Sequence, residues 1–226
     1  MFRIFLLICL VSQSVYGLGV SPFIKIDTGV AINSVKISHF GSNVTTNPYL
    51  SKATDIANAS PSAGISLGLS FPLGRAVFTG LAVGMQMFNA ESNYGINFLG
   101  YSSAQNSYVE VYETYTNKSK SSQFVGLILG STYGPYYQYY IMPTVNRTKV
   151  DLTVGLSGVE THNVDFSRTG FGVEIGSVGN VTSTTSIGLK YAFSYYGGKT
   201  VLDPIRKATN ESYNGHSMGL TLIQSF

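Results

Sequence analysis

The chain is 226 residues long with 14 basic and 11 acidic residues, and a net charge of +3 offers no electrostatic footprint for nucleic acid. Charged residues make up 11% of it, under half of the usual share of about 25%, so the surface that a soluble protein covers with charge must here face another medium. Beyond the first residues no apolar run reaches the ~18 residues of a spanning helix, which leaves strands as the way across a membrane.

Residues 1–17, MFRIFLLICLVSQSVYG, carry one cation at Arg3, an apolar stretch over 4–11 and small residues before a cut after Gly17. This is the layout of a secretory signal peptide, and it divides the chain into a signal at 1–17 and one domain at 18–226. Cys9, the one cysteine, lies within the signal, which excludes a disulfide-framed exported domain. Ile8 stands where a lipid anchor wants a small residue.

The exported part alternates with period two, the signature of half-buried strands. Residues 23–33 place Ile24, Ile26, Thr28, Val30 and Ile32 against Lys25, Asp27, Gly29, Ala31 and Asn33, and a long loop is expected over 34–62. Residues 63–71 and 76–88 form a hairpin about the turn Pro72-Leu73-Gly74-Arg75, with Leu81 and Val83 outward and Gly80, Ala82 and Gly84 inward. The segment 89–122 reads as an insertion whose strand-like pieces, 96–101 and 108–115, make an extramembrane hairpin, because Glu110 and Glu113 are costly against lipid.

Residues 123–142 keep one phase, so they are expected to form a single long strand with a bend or bulge at Gly134-Pro135. A short turn is then expected at 143–146, and residues 147–156 as a strand with Thr148, Val150 and Leu152 outward and Arg147, Lys149 and Asp151 inward. A loop over 157–168 precedes the strand 169–177, in which Glu174 shares the face of Gly172 and Gly176. A Gly179-Asn180 turn leads to 185–196, with Leu189 outward and Lys190 inward, and a loop over 197–212 leads to the last strand, 213–226. There Met218, Leu220, Leu222, Gln224 and Phe226 oppose Ser217, Gly219, Thr221, Ile223 and Ser225.

Eight strands joined by alternately long and short connections describe an antiparallel up-and-down transmembrane β-barrel with short periplasmic turns and long external loops. The last strand, which ends on Phe226, resembles that of bacterial outer-membrane barrels, whose terminal Phe is read by the insertion machinery. As an architecture the exported chain resembles the eight-stranded surface barrels of Gram-negative bacteria, the opacity-protein-like and outer-membrane-protein-A-like transmembrane domains. The resemblance implies a bacterial outer-membrane location, a lipid bilayer with lipopolysaccharide around a monomer, and a surface role, structural or adhesive, that is not enzymatic and uses no cofactor.

The inward charges Lys25, Asp27, Arg147, Lys149, Asp151, Glu174 and Lys190 are expected to form a lumen network, since buried charges must be paired. The same residues could line a narrow porin-like channel, the alternative function. Tyr94, Tyr101, Tyr108, Tyr112 and Tyr115 are the contact candidates for a host surface ligand, as exposed aromatics on a rigid scaffold are frequent anchors. His39, His162 and His216 are too scattered for a metal site. His216 and Ser217 invite comparison with the eight-stranded lipid A deacylases, but neighbours in a strand point to opposite faces. A soluble lipocalin-like carrier would need the aliphatic face inside and the charges in water. Six N-x-S/T sequons, beginning at Asn43, Asn58, Asn117, Asn146, Asn180 and Asn210, follow from the Asn-, Ser- and Thr-rich composition.

Overall fold

The structure, a computed structural model, describes residues 19–39, 54–102, 105–156, 162–201 and 209–226, and the proposed signal lies outside them. The alternating segments form eight strands: β1 (Ser21–His39), β2 (Thr54–Pro72), β3 (Val77–Ser102), β4 (Ser107–Tyr133), β5 (Tyr137–Leu156), β6 (His162–Asn180), β7 (Thr185–Val201) and β8 (Thr209–Ser225). Each pairs antiparallel with its successor, and β8 pairs with β1 from Phe23↔Ser225 to His39↔Thr209, so the sheet closes on itself.

The period-two pattern decides which face is which. Leu81, Val83, Leu189 and Leu220 are each more than half exposed on the outer wall, whereas Lys25, Asp27, Ala82, Glu174 and Lys190 on the opposite faces are buried in the lumen. Tyr133, Tyr136, Tyr137 and Tyr139 cluster on the outer wall at the β4–β5 turn, at the end with short turns, and the register partners Phe171 and Tyr195 stand toward the other end. Nine residues of β7 between these levels, tilted about 45°, rise roughly 21 Å, close to the ~25 Å apolar band of an outer-membrane barrel.

The turn between β4 and β5 corrects the expected single strand over 123–142. Gly134 takes φ +62°, a left-handed conformation open to glycine, and the chain reverses through Gly134-Pro135-Tyr136. No turn occurs at 143–146. Pro143 lies inside β5 and points outward, and the ladder to β4 passes from Gly126↔Thr144 directly to Leu129↔Ile141, so the missing N–H falls in a gap in the pairing. Because β5 runs unbroken from Tyr137, its odd positions stay outside. Arg147 and Lys149 are therefore exposed on the outer wall, while Thr148 and Val150, expected outside, are fully buried in the lumen.

The strands also exceed the expected lengths. Pairing of β1 with β2 continues to Ile37↔Thr54, β5 with β6 to Val154↔His162, and β7 with β8 to Val201↔Thr209, so much of each expected loop is strand. Above the lipid both faces of a strand are wet; the apolar alternation fades while the backbone ladder continues. The insertion 89–122 is the continuation of β3 and β4 themselves, paired up to Ser102↔Ser107. Two ladders stop early. Among the described residues β2 pairs with β3 only up to Ser62↔Phe88, and β6 with β7 only up to Phe171↔Tyr195. Beyond those seams the wall separates into one four-stranded sheet from β3 to β6 and another of β7, β8, β1 and β2, with the Asn58 side-chain amide donating to the Glu91 carbonyl across the first seam.

Leu189 and Leu220 are register partners on the outer wall. Leu189→Arg or Leu220→Arg should each lower stability by about 2–4 kcal/mol if near the bilayer midplane, measured by denaturant unfolding in lipid vesicles. Unchanged stability in both would mean that the outward face had been assigned wrongly.

Candidate functional site

The lumen is built from alternation plus size. Three aromatic rings lie over glycines on the neighbouring strand at the same level of register: Phe23 over Gly68, Phe78 over Gly130, and Tyr140 over Gly176. A Cβ at any of these glycines would fall 2.1–2.3 Å from a ring atom, so the missing side chains are what let the rings lie across the bore. With Met142, Ile128 and Val178 they form an apolar floor toward the short-turn end.

Four charges converge beside this floor. Glu174 Oε1 accepts hydrogen bonds from Lys25 Nζ and, at 2.8 Å, from the Tyr140 hydroxyl, and Glu174 Oε2 lies 3.4 Å from Lys190 Nζ. Lys190 Nζ is 2.8 Å from Asp27 Oδ2, and Lys25 Nζ is 3.4 Å from the same oxygen. Every cation thus meets both anions, and the quartet is neutral as a whole. Lys25 Nζ also stands 5.7 Å from the Tyr140 ring centre, where the ring face attracts a cation. All four side chains are about 95% removed from solvent, where an unpaired charge costs several kcal/mol. Mutual pairing is what permits them to be there.

Above the quartet lies a small chamber of about 30 Å³ with a mixed lining, Asn33, Ser122, Asn146, Ser194, Tyr196 and Ser217 beside Ala31, Phe88 and Phe124. Ser122 Oγ and the Tyr196 hydroxyl are 2.8 Å apart, and Asn146 Nδ2 donates to Ser194 Oγ at 3.0 Å. The Tyr196 and Tyr213 rings meet in a tilted contact, their centres 5.3 Å apart. Arg168 is buried farther out, with its guanidinium 4.9 Å from the Phe166 ring centre.

Of the seven charges expected in the lumen, the structure brings together Lys25, Asp27, Glu174 and Lys190. Arg147 and Lys149 are on the outer wall, and Asp151 shares their face, half-exposed, with Lys120 Nζ at 3.9 Å. The displaced turn explains all three, since a strand begun at 147 can be read in either phase and one begun at 137 cannot. Tyr140 falls on the inward parity of 123–142 in either reading; what the sequence did not show is its partner, since the pairing that sets Tyr140 beside Glu174 needs the β5–β6 register. Tyr94, Tyr101, Tyr108, Tyr112 and Tyr115 lie in the extensions of β3 and β4, where Tyr94 opposes Tyr115 and Tyr101 opposes Tyr108; their side chains are outside the described residues. Phe226 is half-exposed at the short-turn end, and its N–H donates to the Pro22 carbonyl at 2.9 Å. His216 faces outward, its Nδ1 2.7 Å from the Tyr191 hydroxyl, while Ser217 is buried on the lumen side.

A closed barrel of eight antiparallel strands, apolar outside and polar within, is a transmembrane β-barrel of the bacterial outer membrane. No protein-family model and no curated protein sequence matches the chain. Solved structures do match. The outer-membrane protease OmpT of Escherichia coli is similar with a TM-score of 0.55 at 9% identity, over 91% of this chain and 97% of that one. Neisserial surface protein A gives 0.45 at 12% identity, over 91% and 99%, and OprG of Pseudomonas aeruginosa 0.37 at 12%, over 90% and 95%. At such identities the likeness to OmpT carries the fold alone.

Removing Glu174 leaves two buried lysines with one carboxylate between them. Glu174→Ala should cost about 3–5 kcal/mol, and Lys190→Ala in that background should recover part of it. Denaturant unfolding of the four-member mutant cycle checks this, and fully additive effects would rule out the coupling.

Proposed function

We propose that this chain is a non-enzymatic surface protein of the outer membrane, structural or adhesive, whose external strands and loops meet host molecules or the surroundings. The observation that carries the reading is the filled bore: a neutral quartet and three rings occupy the level at which a channel would need open space. An eight-stranded barrel has an interior about wide enough for side chains alone. The chain instead extends outward, and the β3–β4 hairpin is its longest extension, with no charged residue from Asn93 through Val109. That uncharged stretch, with Tyr94, Tyr101 and Tyr108, is suited to contact another surface. His216 and Ser217 on opposite sides of the wall support the non-enzymatic reading.

In this reading residues 1–17 direct export, Phe226 is presented to the insertion machinery, and the barrel works as a monomer among lipid and lipopolysaccharide. The second reading, a narrow channel for small solutes, is favoured by the small open chamber above the quartet and requires the four charges to part.

Two measurements separate the readings. Replacing residues 95–114 by Asn-Gly between the register partners Tyr94 and Tyr115 should leave a barrel that runs faster unboiled than boiled on a gel, because surface-loop length has little effect on closure cost. Binding to host cells should be lost. In planar bilayers the unmutated protein should give no steady conductance; a large steady current would favour the channel.

A further inference from the structure

The outward turn of Arg147 and Lys149 has a counterpart in the wall beneath them. One row of register partners crosses four strands as Leu67↔Val83↔Val125↔Val145, so three short valines stand side by side on the outer face. Two adjoining troughs meet at this row. One, of about 350 Å³, runs down past Leu69 and Leu81 to Phe226; the other, of about 640 Å³, runs up to Gln123, Arg147 and Thr169. Both include Leu67, Val83 and Val125, so they form one groove along the barrel wall, apolar for most of its length and headed by a cation. The β6–β8 side of the wall carries bulkier Phe171, Tyr191, Phe193 and Tyr195.

The head of the groove is where this part of the wall leaves the apolar band. Gln123↔Arg147↔Thr169 is the row immediately beyond Val125↔Val145↔Phe171, and Lys149 follows two residues farther out. Among the described residues neither Arg147 nor Lys149 has an ion-pair partner. The nearby outward acids have their own: Glu91 is 3.2 Å from Lys118, and Asp151 is 3.9 Å from Lys120. Asp165 is exposed opposite Asp151, one further step from the membrane. Two unmatched cations at the polar boundary, directly over an apolar trough, complement an amphiphile with an anionic head and acyl chains.

We propose that this wall is a binding site for a phosphorylated, multiply acylated glycolipid of the outer leaflet. A phosphate sits on Arg147 and Lys149, with Gln123 as a neutral donor, and an acyl chain lies along Val145, Val125 and Val83. Arg can hold two phosphate oxygens at once through its fork of N–H groups, and Lys adds a point charge. The proposal rests on the outer-membrane reading and on the short turns facing the periplasm, which put Arg147 in the outer leaflet.

The test is native mass spectrometry of the full chain refolded in detergent and exposed in turn to bisphosphorylated lipid A, its monophosphorylated form, phosphatidylglycerol and inorganic phosphate. Bisphosphorylated lipid A should be retained most strongly, and the other three clearly less. Arg147→Gln with Lys149→Gln should weaken retention by roughly tenfold or more, the loss expected for charge-assisted contacts. Val125→Trp, which fills the groove and keeps the cations, should weaken it as well. Equal retention of phosphatidylglycerol, or undiminished retention by the double variant or by Val125→Trp, overturns the site. Heat-modifiable gel mobility recorded for every variant keeps a failed barrel distinct from a failed site, and the comparison among lipids needs only the unmutated protein.

Discussion

Closure is the constraint from which the remaining structure follows. In hydrocarbon a backbone N–H or C=O without a partner costs several kcal/mol, so a sheet can cross a bilayer only if its first and last strands meet. Here they meet over nearly the whole of β1, from Phe23↔Ser225 to His39↔Thr209. Tight contact is part of that seam. Gly29 faces Gly219, and a Cβ on either would fall about 2 Å from a carbonyl oxygen of the other strand. Once the cylinder is closed, alternate residues have nowhere to go but lipid or lumen, and the lumen of eight strands is so narrow that whatever enters it must fit and be neutral.

Neutrality explains why the charges are distributed as they are. The four that lie inside meet one another in alternating sign, and the rings beside them fill what the glycines leave open. Outside, beyond the apolar band, no such condition applies. Arg147 and Lys149 can stand unmatched because water and headgroups surround them, while an unmatched lysine beside Glu174 would destabilise the whole barrel. Residue type alone therefore does not separate a structural charge from an available one; which face it occupies does.

That distinction was legible in the sequence wherever lipid imposed the pattern. Ile24 to Ile32, Leu81 and Val83, and Leu189 beside Lys190 could be assigned to faces because bulky apolar residues alternate there with small or charged ones. Closure into eight strands followed from their number. The pattern failed at Gly134-Pro135, where the tyrosines at 133, 137 and 139 share one parity on both sides of a real turn, so the phase shows no interruption. Pro143 then supplied a false turn, since a proline outside a ladder's hydrogen-bonded positions has the same sequence appearance as one in a loop. The extensions above the bilayer were illegible for a different reason: with water on both faces, backbone pairing leaves no record in hydropathy. Tyr140 was missed because parity places a side chain in the lumen without naming its partner there, and the Arg147–Lys149 pair was assigned to the wrong face by the false turn.

The two early-ending ladders have an effect on how the exterior of the molecule can change over time. Because β2 leaves β3 after Ser62↔Phe88 and β6 leaves β7 after Phe171↔Tyr195, the described residues of the external part form two sheets that share a foundation but little hydrogen bonding with each other. Lengthening, shortening or rewriting the β3–β4 hairpin changes one sheet and leaves the backbone ladders of the other as they were. The lipid-facing staves must keep their register through any such change; the parts above the seams need only keep it within their own half. The exterior can thus be altered in two blocks, each one free to drift without renegotiating the cylinder beneath it.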